Sequence, residues 1–359
     1  MKIGIISDTH IGKNLRTNTT MESRQRLKDN IQQAAHSGID VLEQSGCDII
    51  IHTADLFDKA INDEADILAG SEVAKRCDVV MFGNHDDRNR KDTVSSIGLL
   101  AAVEPNTSNS TKFVKSCWEA NVMVDVRKGV SLYYIPHCVS QQVFEESLNL
   151  IISNSRRSDK NVLFLHCNYD NGLVTDKEQN LNLTEDMADT LLEYFDFIVM
   201  GHEHQLSKRK DGRVISVGST HPTSLSDISD KFATVIDTDT SKVEHHLTWD
   251  SSSSWAVDVA DFINPTFLTN IANNKVQFID VVGKASTEMS VAVNDRVSEV
   301  WSSSETLIAL RTSKIEYASE ASTAEEEISL ESLPETMLSE LEGAAHDLLA
   351  EALSAVDQQ

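Results

Sequence analysis

The strongest constraint on the fold is a pattern that occurs five times, in which a short apolar run leads directly into aspartate, asparagine or histidine. The runs are KIGIIS, CDIIIHTA, DVVMFG, NVLFLH and DFIVMG. Apolar runs of this length, bounded by turn residues, are typical of buried strands. Between these runs lie segments whose apolar residues recur at helical spacing, at about residues 22–44, 63–76, 141–155 and 184–194. The sequence therefore predicts an α/β protein.

The polar residues at these strand ends form one set. In chain order they are Asp8, His10, Asp55, Asp58, Asn84, His85, Asp86, His166, His202 and His204. Because ligands of open α/β sheets bind at the carboxyl ends of the strands, we expect the set to meet at one sheet edge. A lone histidine at a strand end is usually a satisfied polar group, but five such ends in succession indicate a site.

The donor types in this set predict a metal centre. Carboxylate, amide and neutral imidazole donors without a thiolate suit Mn²⁺, Fe²⁺ or Zn²⁺ better than Ca²⁺. The set has more donors than one ion needs, so two ions sharing a bridging carboxylate would account for it. A pair of ions of this kind is typical of enzymes that attack phosphorus in line.

Charge and cysteine content limit the function classes. The 359-residue chain has a formal net charge of −26, which argues against a stand-alone nucleic-acid binder, because phosphate contacts need lysine and arginine. The last 43 residues, from Tyr317, hold 11 of these negative charges and no lysine or arginine. The five cysteines include no C-x-x-C pair, and the N-terminus lacks the features of a secretion signal. We therefore expect buried thiols in a cytoplasmic protein, or in the host cytoplasm if the source is viral.

The chain beyond residue 250 predicts two further parts. The serine run Ser251–Ser254 is the best linker candidate, and residues 262–317 follow as a smaller α/β unit. Residues 328–357 then show leucines at three- and four-residue spacings with glutamates between them. An acidic amphipathic helix of this kind either packs on its own domain or docks on a partner.

In order, the motifs D-x-H, D-x-x-D, G-N-H-D, a lone histidine after a strand, and G-H-x-H resemble those of the calcineurin-like metallophosphoesterases. The resemblance covers about residues 1–248. It implies a four-layer α/β/β/α sandwich. One departure is Ala54, where the family usually has glycine; alanine resists positive φ, so the turn there is expected to differ slightly.

The resemblance also implies a role for each site residue. One metal would be held by Asp8, His10, Asp55 and His204, and the other by Asp55, Asn84, His166 and His202, with Asp55 bridging. His85 would be catalytic: it would stabilise charge on the scissile phosphate and assist the leaving oxygen while a hydroxide attacks. Asp58 and Asp86 would orient their neighbours. The cofactors would be two divalent ions, with Mn²⁺ preferred over Mg²⁺, Fe²⁺ or Zn²⁺.

Longer stretches resemble the SbcD-type nucleases, which include phage recombination endonuclease subunits. The stretches are SDTHIGK, ADLFD, LLEYFDFIVMGHEHQ and VISVGSTHPTSLSD. This resemblance implies a nuclease domain at residues 1–250 and a DNA-capping-like domain at 262–317. It also implies a helical segment at 328–357 that docks on an SbcC-type ABC ATPase, and a homodimer acting on DNA.

Three functions follow from this reading. The main hypothesis is a metal-dependent DNA exo- or endonuclease subunit of an SbcCD-like recombination and repair complex. The alternatives are a stand-alone phosphodiesterase or phosphatase for a small or protein substrate, and a scaffold for the ATPase. The net charge opposes DNA binding, although two ions would offset it locally and an ATPase could supply basic surface. Arg88, Arg90 and Lys91 either contact a DNA backbone or form a solvated loop.

Overall fold

The computed structural model describes residues 1–15, 19–87, 94–103, 110–155, 160–171 and 181–318. The predicted partner helix at 328–357 and the basic residues Arg88, Arg90 and Lys91 lie outside the described residues. Among the described helices, none is both long and apolar enough to cross a membrane.

Strands and helices alternate along the described chain, as predicted. The strands are β1 Lys2–Ile6, β2 Ile49–His52, β3 Val79–Met81, β4 Lys112–Val114, β5 Met123–Arg127, β6 Val130–Ile135, β7 Lys160–His166, β8 Asn168–Tyr169, β9 Asn182–Leu183, β10 Phe197–Gly201, β11 Ser207–Arg209, β12 Val214–Ser216, β13 Lys231–Asp237, β14 Lys242–Trp249, β15 Ser254–Asp258, β16 Phe278–Ser286 and β17 Ala309–Ala318. The helices are α1 Met21–Gln44, α2 Glu64–Ala74, α3 Asn84–Asp87, α4 Ser96–Val103, α5 Gln141–Asn154, α6 Glu185–Leu191, α7 Val259–Ile263, α8 Thr266–Asn273 and α9 Met289–Ser303.

Two six-stranded sheets form the centre of the larger part of the molecule. The first has the order β14-β13-β1-β2-β3-β4, in which β1 to β4 are parallel and β13 runs antiparallel to β1. The second has the order β11-β12-β10-β7-β6-β5, in which β12, β10, β7 and β6 are parallel. Each sheet is mixed, with antiparallel strands only at its margins.

The two sheets pack face to face, with helices on both outer sides. Ile5 and Ile51 of the first sheet share a core with Tyr134 and Phe164 of the second, and all four are fully buried. Each large apolar side chain buried in this way contributes roughly 1.5–3 kcal/mol to stability. Helices α1, α2 and α4 cover the other face of the first sheet, while α5 and α6 cover that of the second. The expected four-layer α/β/β/α sandwich is therefore confirmed.

The prediction of a single sheet edge is wrong. Strands β1, β2 and β3 belong to the first sheet, whereas β7 and β10 belong to the second. Their carboxyl ends still meet, because the two sheets are stacked with these ends on the same side. The period of an apolar run identifies a strand but does not identify its neighbours, which is why the division into two sheets is absent from the residue pattern.

The first helix shows how closely the outer layer approaches the sheet. Helix α1 begins at an N-cap, where the Thr20 side chain accepts a hydrogen bond from the Ser23 N–H. Gly38 lies in its buried face, and a Cβ at this position would lie 3.1 Å from Thr248 Cγ2. Glycine therefore lets the helix lie against β14 where a larger residue would hold it away.

A smaller unit follows β14 and has its own core. Strands β15, β16 and β17 form a parallel sheet, covered by helices α7, α8 and α9. Trp249 Nε1 donates to Gln277 Oε1 at 2.9 Å, and Arg26 donates to the carbonyl of Leu307 at 3.1 Å, so the unit is tied to the sandwich. Strand β15, which the sequence did not reveal, precedes residue 262; the domain boundaries stay a prediction.

Candidate metal centre

The carboxyl ends of the two sheets bring the predicted site residues together. Asp8 and His10 follow β1, Asp55 follows β2, Asn84 and His85 begin α3, His166 ends β7, and His202 and His204 follow β10. Three groups in this region have ligand atoms within 4.8 Å of one another: Asp8, His10 and His204; Asp55, His166 and His202; and His10, Asp58 and His85. The first two groups consist of residues that the resemblance assigned to two different ions.

The first group is centred on two imidazole nitrogens. His10 Nε2 and His204 Nε2 are 3.0 Å apart. Asp8 Oδ1 lies 4.0 Å from His10 Nε2 and 3.9 Å from His204 Nε2. Asp55 Oδ2 lies 3.9 Å from His10 Nε2, so the predicted bridging carboxylate reaches this group.

The second group is centred on the Asn84 side chain. Asn84 Oδ1 lies 2.9 Å from His166 Nε2 and 3.2 Å from His202 Nδ1. Asp55 Oδ2 lies 3.3 Å from His166 Nε2. Asp55 therefore contacts both groups, as a bridging ligand must.

The residues fit a pair of divalent ions. Asp8, His10, Asp55 and His166 are each at most 1% exposed, and buried carboxylates are costly without a compensating cation. His10 Nε2 and His204 Nε2 face each other at 3.0 Å, and a cation between them would accept a lone pair from each ring. Metal binding by these individual residues stays a prediction.

Burial and the neighbouring charges set the protonation of the two groups. Burial lowers the pKa of His10 and lowers that of His202 to about 3, so both rings are neutral and offer lone pairs. Although burial opposes it, the Asp55 carboxylate raises the pKa of His166 to about 9. In return, His166 holds the pKa of Asp55 well below its usual range despite burial. A proton on His166 thus balances the negative charge of the Asp55 carboxylate, and a metal ion would replace that proton.

The backbone at the strand ends is strained. Five non-glycine residues there have positive φ: Asp8 (47°), His10 (51°), Ala54 (89°), Asp55 (52°) and His202 (87°). Each such residue costs about 1–3 kcal/mol, and strain of this kind concentrates at functional sites. Ala54 adopts the positive φ that glycine would favour, so the expected change in this turn does not occur.

Asp86 and Asp58 hold the turns that carry the ligands. Asp86 accepts from the backbone N–H groups of Phe57 at 2.9 Å and Gly83 at 3.0 Å, which ties the turn after β2 to the turn after β3. Burial and the nearby Asp55 raise the pKa of Asp86. The Asp58 carboxylate pairs with Lys13 at 2.7 Å.

His85 is fixed beside the first group. Its Nδ1 donates to the carbonyl of Asp58 at 2.8 Å, and its backbone N–H donates to Asp55 Oδ1 at 3.0 Å. Its ring meets that of His10 edge to face, with centroids 4.8 Å apart. Since the Asp58 carbonyl holds the proton on Nδ1, Nε2 is the atom available to a substrate.

Sequence reasoning missed three residues in contact with His204. They are Thr223 and Asp227, in the loop that joins β12 to β13, and Lys231, which begins β13. Thr223 Oγ1 lies 2.7 Å and Asp227 Oδ2 3.4 Å from His204 Nδ1, and Lys231 donates to the His204 carbonyl. Thr223 and Asp227 lie within the stretch VISVGSTHPTSLSD, which resembles the SbcD-type nucleases, but that resemblance gave neither residue a role. An aspartate and a lysine four residues apart are common on protein surfaces, and only burial distinguishes this pair.

Comparisons with known proteins identify the family of this chain and one relative. A family model described as the calcineurin-like phosphoesterase superfamily domain matches residues 1–241. The DNA double-strand break repair protein Mre11 of Saccharolobus solfataricus is 26% identical over 225 residues, which cover 60% of this chain and 53% of that protein. The chain thus matches about half the length of this relative.

Two solved structures are also similar. A putative 5′-nucleotidase from Staphylococcus aureus is 13% identical, with a TM-score of 0.40, over 68% of this chain and 52% of that one. A dimetal phosphatase from Danio rerio is 9% identical, with a TM-score of 0.42, over 66% of this chain and 91% of that one.

Proposed function

The chain belongs to the calcineurin-like phosphoesterase superfamily, and from this premise we propose that it is a metal-dependent DNA nuclease. Membership makes the chain a phosphoester hydrolase that works with divalent metal ions. The observation that carries the proposal is the convergence of the other six predicted ligands around Asp55, with His85 fixed beside them. The similarity to Mre11 supports DNA as the substrate and an exo- or endonuclease subunit as the role.

The protein groups divide the catalytic work. Asp55 spans the two ligand groups, so it fixes their separation. Bound divalent ions would neutralise phosphate charge and activate water, and we propose Mn²⁺ for both positions. His85 presents Nε2 toward the substrate side, where the doubly protonated ring stabilises charge on the phosphate and gives its Nε2 proton to the leaving oxygen. The carbonyl of Asp58 keeps the ring in that orientation.

A homodimer is the second part of the proposal. Four exposed apolar side chains lie on or near α2 and α4: Ile61, Leu68, Leu99 and Val103, which are 65%, 66%, 43% and 68% exposed. Ser96, the first residue of α4, links α4 to the segment before α2, since its N–H donates to the Ala60 carbonyl at 2.7 Å. Grouped apolar side chains on a surface mark interaction sites.

We further propose that residues 328–357 bind an SbcC-type ATPase, which would add the basic surface that a chain of net charge −26 lacks.

The test is nuclease activity of the purified chain on linear duplex and single-stranded DNA. It is run with Mn²⁺, with Mg²⁺ and with chelator, beside the small diester bis-p-nitrophenyl phosphate. His85→Gln is the matched variant, because glutamine keeps much of the size of the ring but cannot exchange a proton at neutral pH. Degradation of DNA that requires Mn²⁺ and falls about 10²- to 10⁴-fold in His85→Gln would support the nuclease.

Other outcomes favour the alternatives. Hydrolysis of the small ester with DNA left intact, even after addition of an ATPase partner, would favour a stand-alone phosphodiesterase. No hydrolysis of either substrate in a protein that binds two ions would favour a scaffold.

A further inference from the structure

A lysine with no exposed side-chain surface lies directly behind the metal centre. Lys231 begins β13, and its side chain is 0% exposed. Taking an ammonium group out of water costs several kcal/mol unless its hydrogen bonds are replaced. Its Nζ donates to Asp227 Oδ1 at 2.6 Å and to the backbone carbonyl of His204 at 2.8 Å. One of the two partners of this buried charge is therefore the backbone of a predicted metal ligand.

The other oxygen of Asp227 is linked to the ring of the same histidine. Thr223 Oγ1 donates to Asp227 Oδ2 at 3.2 Å and lies 2.7 Å from His204 Nδ1. Since the hydroxyl proton is used on the carboxylate, the hydroxyl oxygen accepts from His204, and the ring proton must be on Nδ1. The Nε2 lone pair of His204 then faces His10 and Asp8.

Together these contacts hold His204 at two points. The ring is held through Thr223 and the backbone through Lys231, and Asp227 joins the two. Asp227 Oδ2 also lies 3.4 Å from His204 Nδ1, close enough to favour the same tautomer electrostatically. A surface ion pair would not give this closed arrangement, because exposed partners exchange with water.

We propose that Thr223, Asp227 and Lys231 form a positioning relay that fixes the tautomer and orientation of His204 for binding the first metal ion. The inference rests on the proposed two-ion site and adds the residues that tune one of its two positions. Partners that orient a ligating histidine typically contribute about 10- to 100-fold to metal affinity. The relay therefore affects the ion held by Asp8, His10 and His204 more than the ion held by Asn84, His166 and His202.

The experiment is a titration of the folded, metal-free chain with Mn²⁺. Binding is measured by calorimetry and, separately, by the electron paramagnetic resonance signal of free Mn²⁺. Thr223→Val removes the hydroxyl but keeps the Asp227–Lys231 pair, and Thr223→Ser keeps the hydroxyl. The matched control is Thr248→Val, because the Thr248 hydroxyl donates to the Thr220 carbonyl of the same loop at 2.8 Å. We expect Thr223→Val to weaken one of two Mn²⁺ sites by about 10- to 100-fold, with Thr223→Ser and Thr248→Val close to wild type.

The results separate this inference from the proposed function. Two sites of wild-type affinity in Thr223→Val, or equal weakening in Thr248→Val, would overturn the relay. A wild-type chain that binds no Mn²⁺ would overturn it as well. Selective weakening in Thr223→Val supports the relay even if the wild-type chain leaves DNA intact, an outcome that contradicts only the nuclease proposal. Urea unfolding of each metal-free variant shows whether lost affinity reflects lost folding.

Discussion

Replacing Gly83 with alanine should disrupt the turn that carries Asn84 and His85. A Cβ at this position would lie 2.7 Å from the backbone nitrogen of Asp55 and 2.6 Å from its Cγ, and closer still to Oδ1. Real Cβ atoms essentially never approach other heavy atoms below 3.0 Å. Asp55 cannot swing away freely, because its Oδ1 accepts from the His85 N–H at 3.0 Å. The two turns must therefore move apart.

The cost has two parts. Overpacking in a well-packed interior typically costs about 1–3 kcal/mol. Losing the hydrogen bond between His85 N–H and Asp55 leaves a buried donor and a buried carboxylate oxygen unsatisfied, at about 1–3 kcal/mol. We expect a loss of about 4 kcal/mol in the free energy of unfolding, which at about 2 °C per kcal/mol lowers the melting temperature by about 8 °C.

Urea unfolding and thermal melting of the metal-free chain measure this loss. The matched control is Gly129→Ala, where φ is 79° and no heavy atom lies within 4 Å of the added Cβ. That substitution should cost about 1 kcal/mol through backbone strain alone. A Gly83→Ala variant that loses no more stability than Gly129→Ala, and that binds Mn²⁺ with wild-type affinity, would refute the steric reasoning.

Three further outcomes are expected. Mn²⁺ at about 100 times its dissociation constant should stabilise the wild-type chain by about 2.7 kcal/mol for each ion bound. In thermal melting, His85→Gln should keep this gain and Asp55→Asn should lose it, and equal gains in both would contradict the site. Despite partial burial, Arg311 holds the pKa of Asp280 below its ordinary value, so the carboxylate stabilises the fold above about pH 4 and stops doing so as the pH falls through the lowered pKa. Asp280→Asn should therefore shift the urea midpoint at pH 6, and the shift should shrink as the pH falls below about 4; a shift that does not depend on pH would contradict this. Burial raises the pKa of Cys77 to about 12, so Ellman's reagent at pH 8 should label it only after unfolding, and rapid labelling of the native chain would refute its burial.

The sequence predicts most of what is local in this structure. The five apolar runs are strands because each is short, uninterrupted and bounded by turn residues, and these properties do not depend on distant parts of the chain. The positions of the predicted ligands follow from the same property, because each lies at the end of one of these five strands. Asp8, Asp55 and His202 are the clearest cases.

Other features depend on pairings that the sequence pattern does not contain. Strand β4 has three residues and joins the first sheet, while β5, which follows it, joins the second. The positive φ of Ala54 reflects the surrounding structure, against the preference of alanine itself. Lys231 is buried because β13 pairs with β1 and closes the space behind His204. The sequence pattern does not predict this pairing.

The pairing of β13 with β1 has a consequence for synthesis of the chain. The first predicted ligand, Asp8, follows β1, whereas the backbone of the last predicted ligand, His204, accepts a hydrogen bond from Lys231 in β13. A nascent chain therefore cannot complete the first metal position until β13 has left the ribosome and returned to the strand made first. If the protein cuts DNA, hydrolytic activity appears only with a finished catalytic domain, and fragments released by premature termination before Lys231 remain inert.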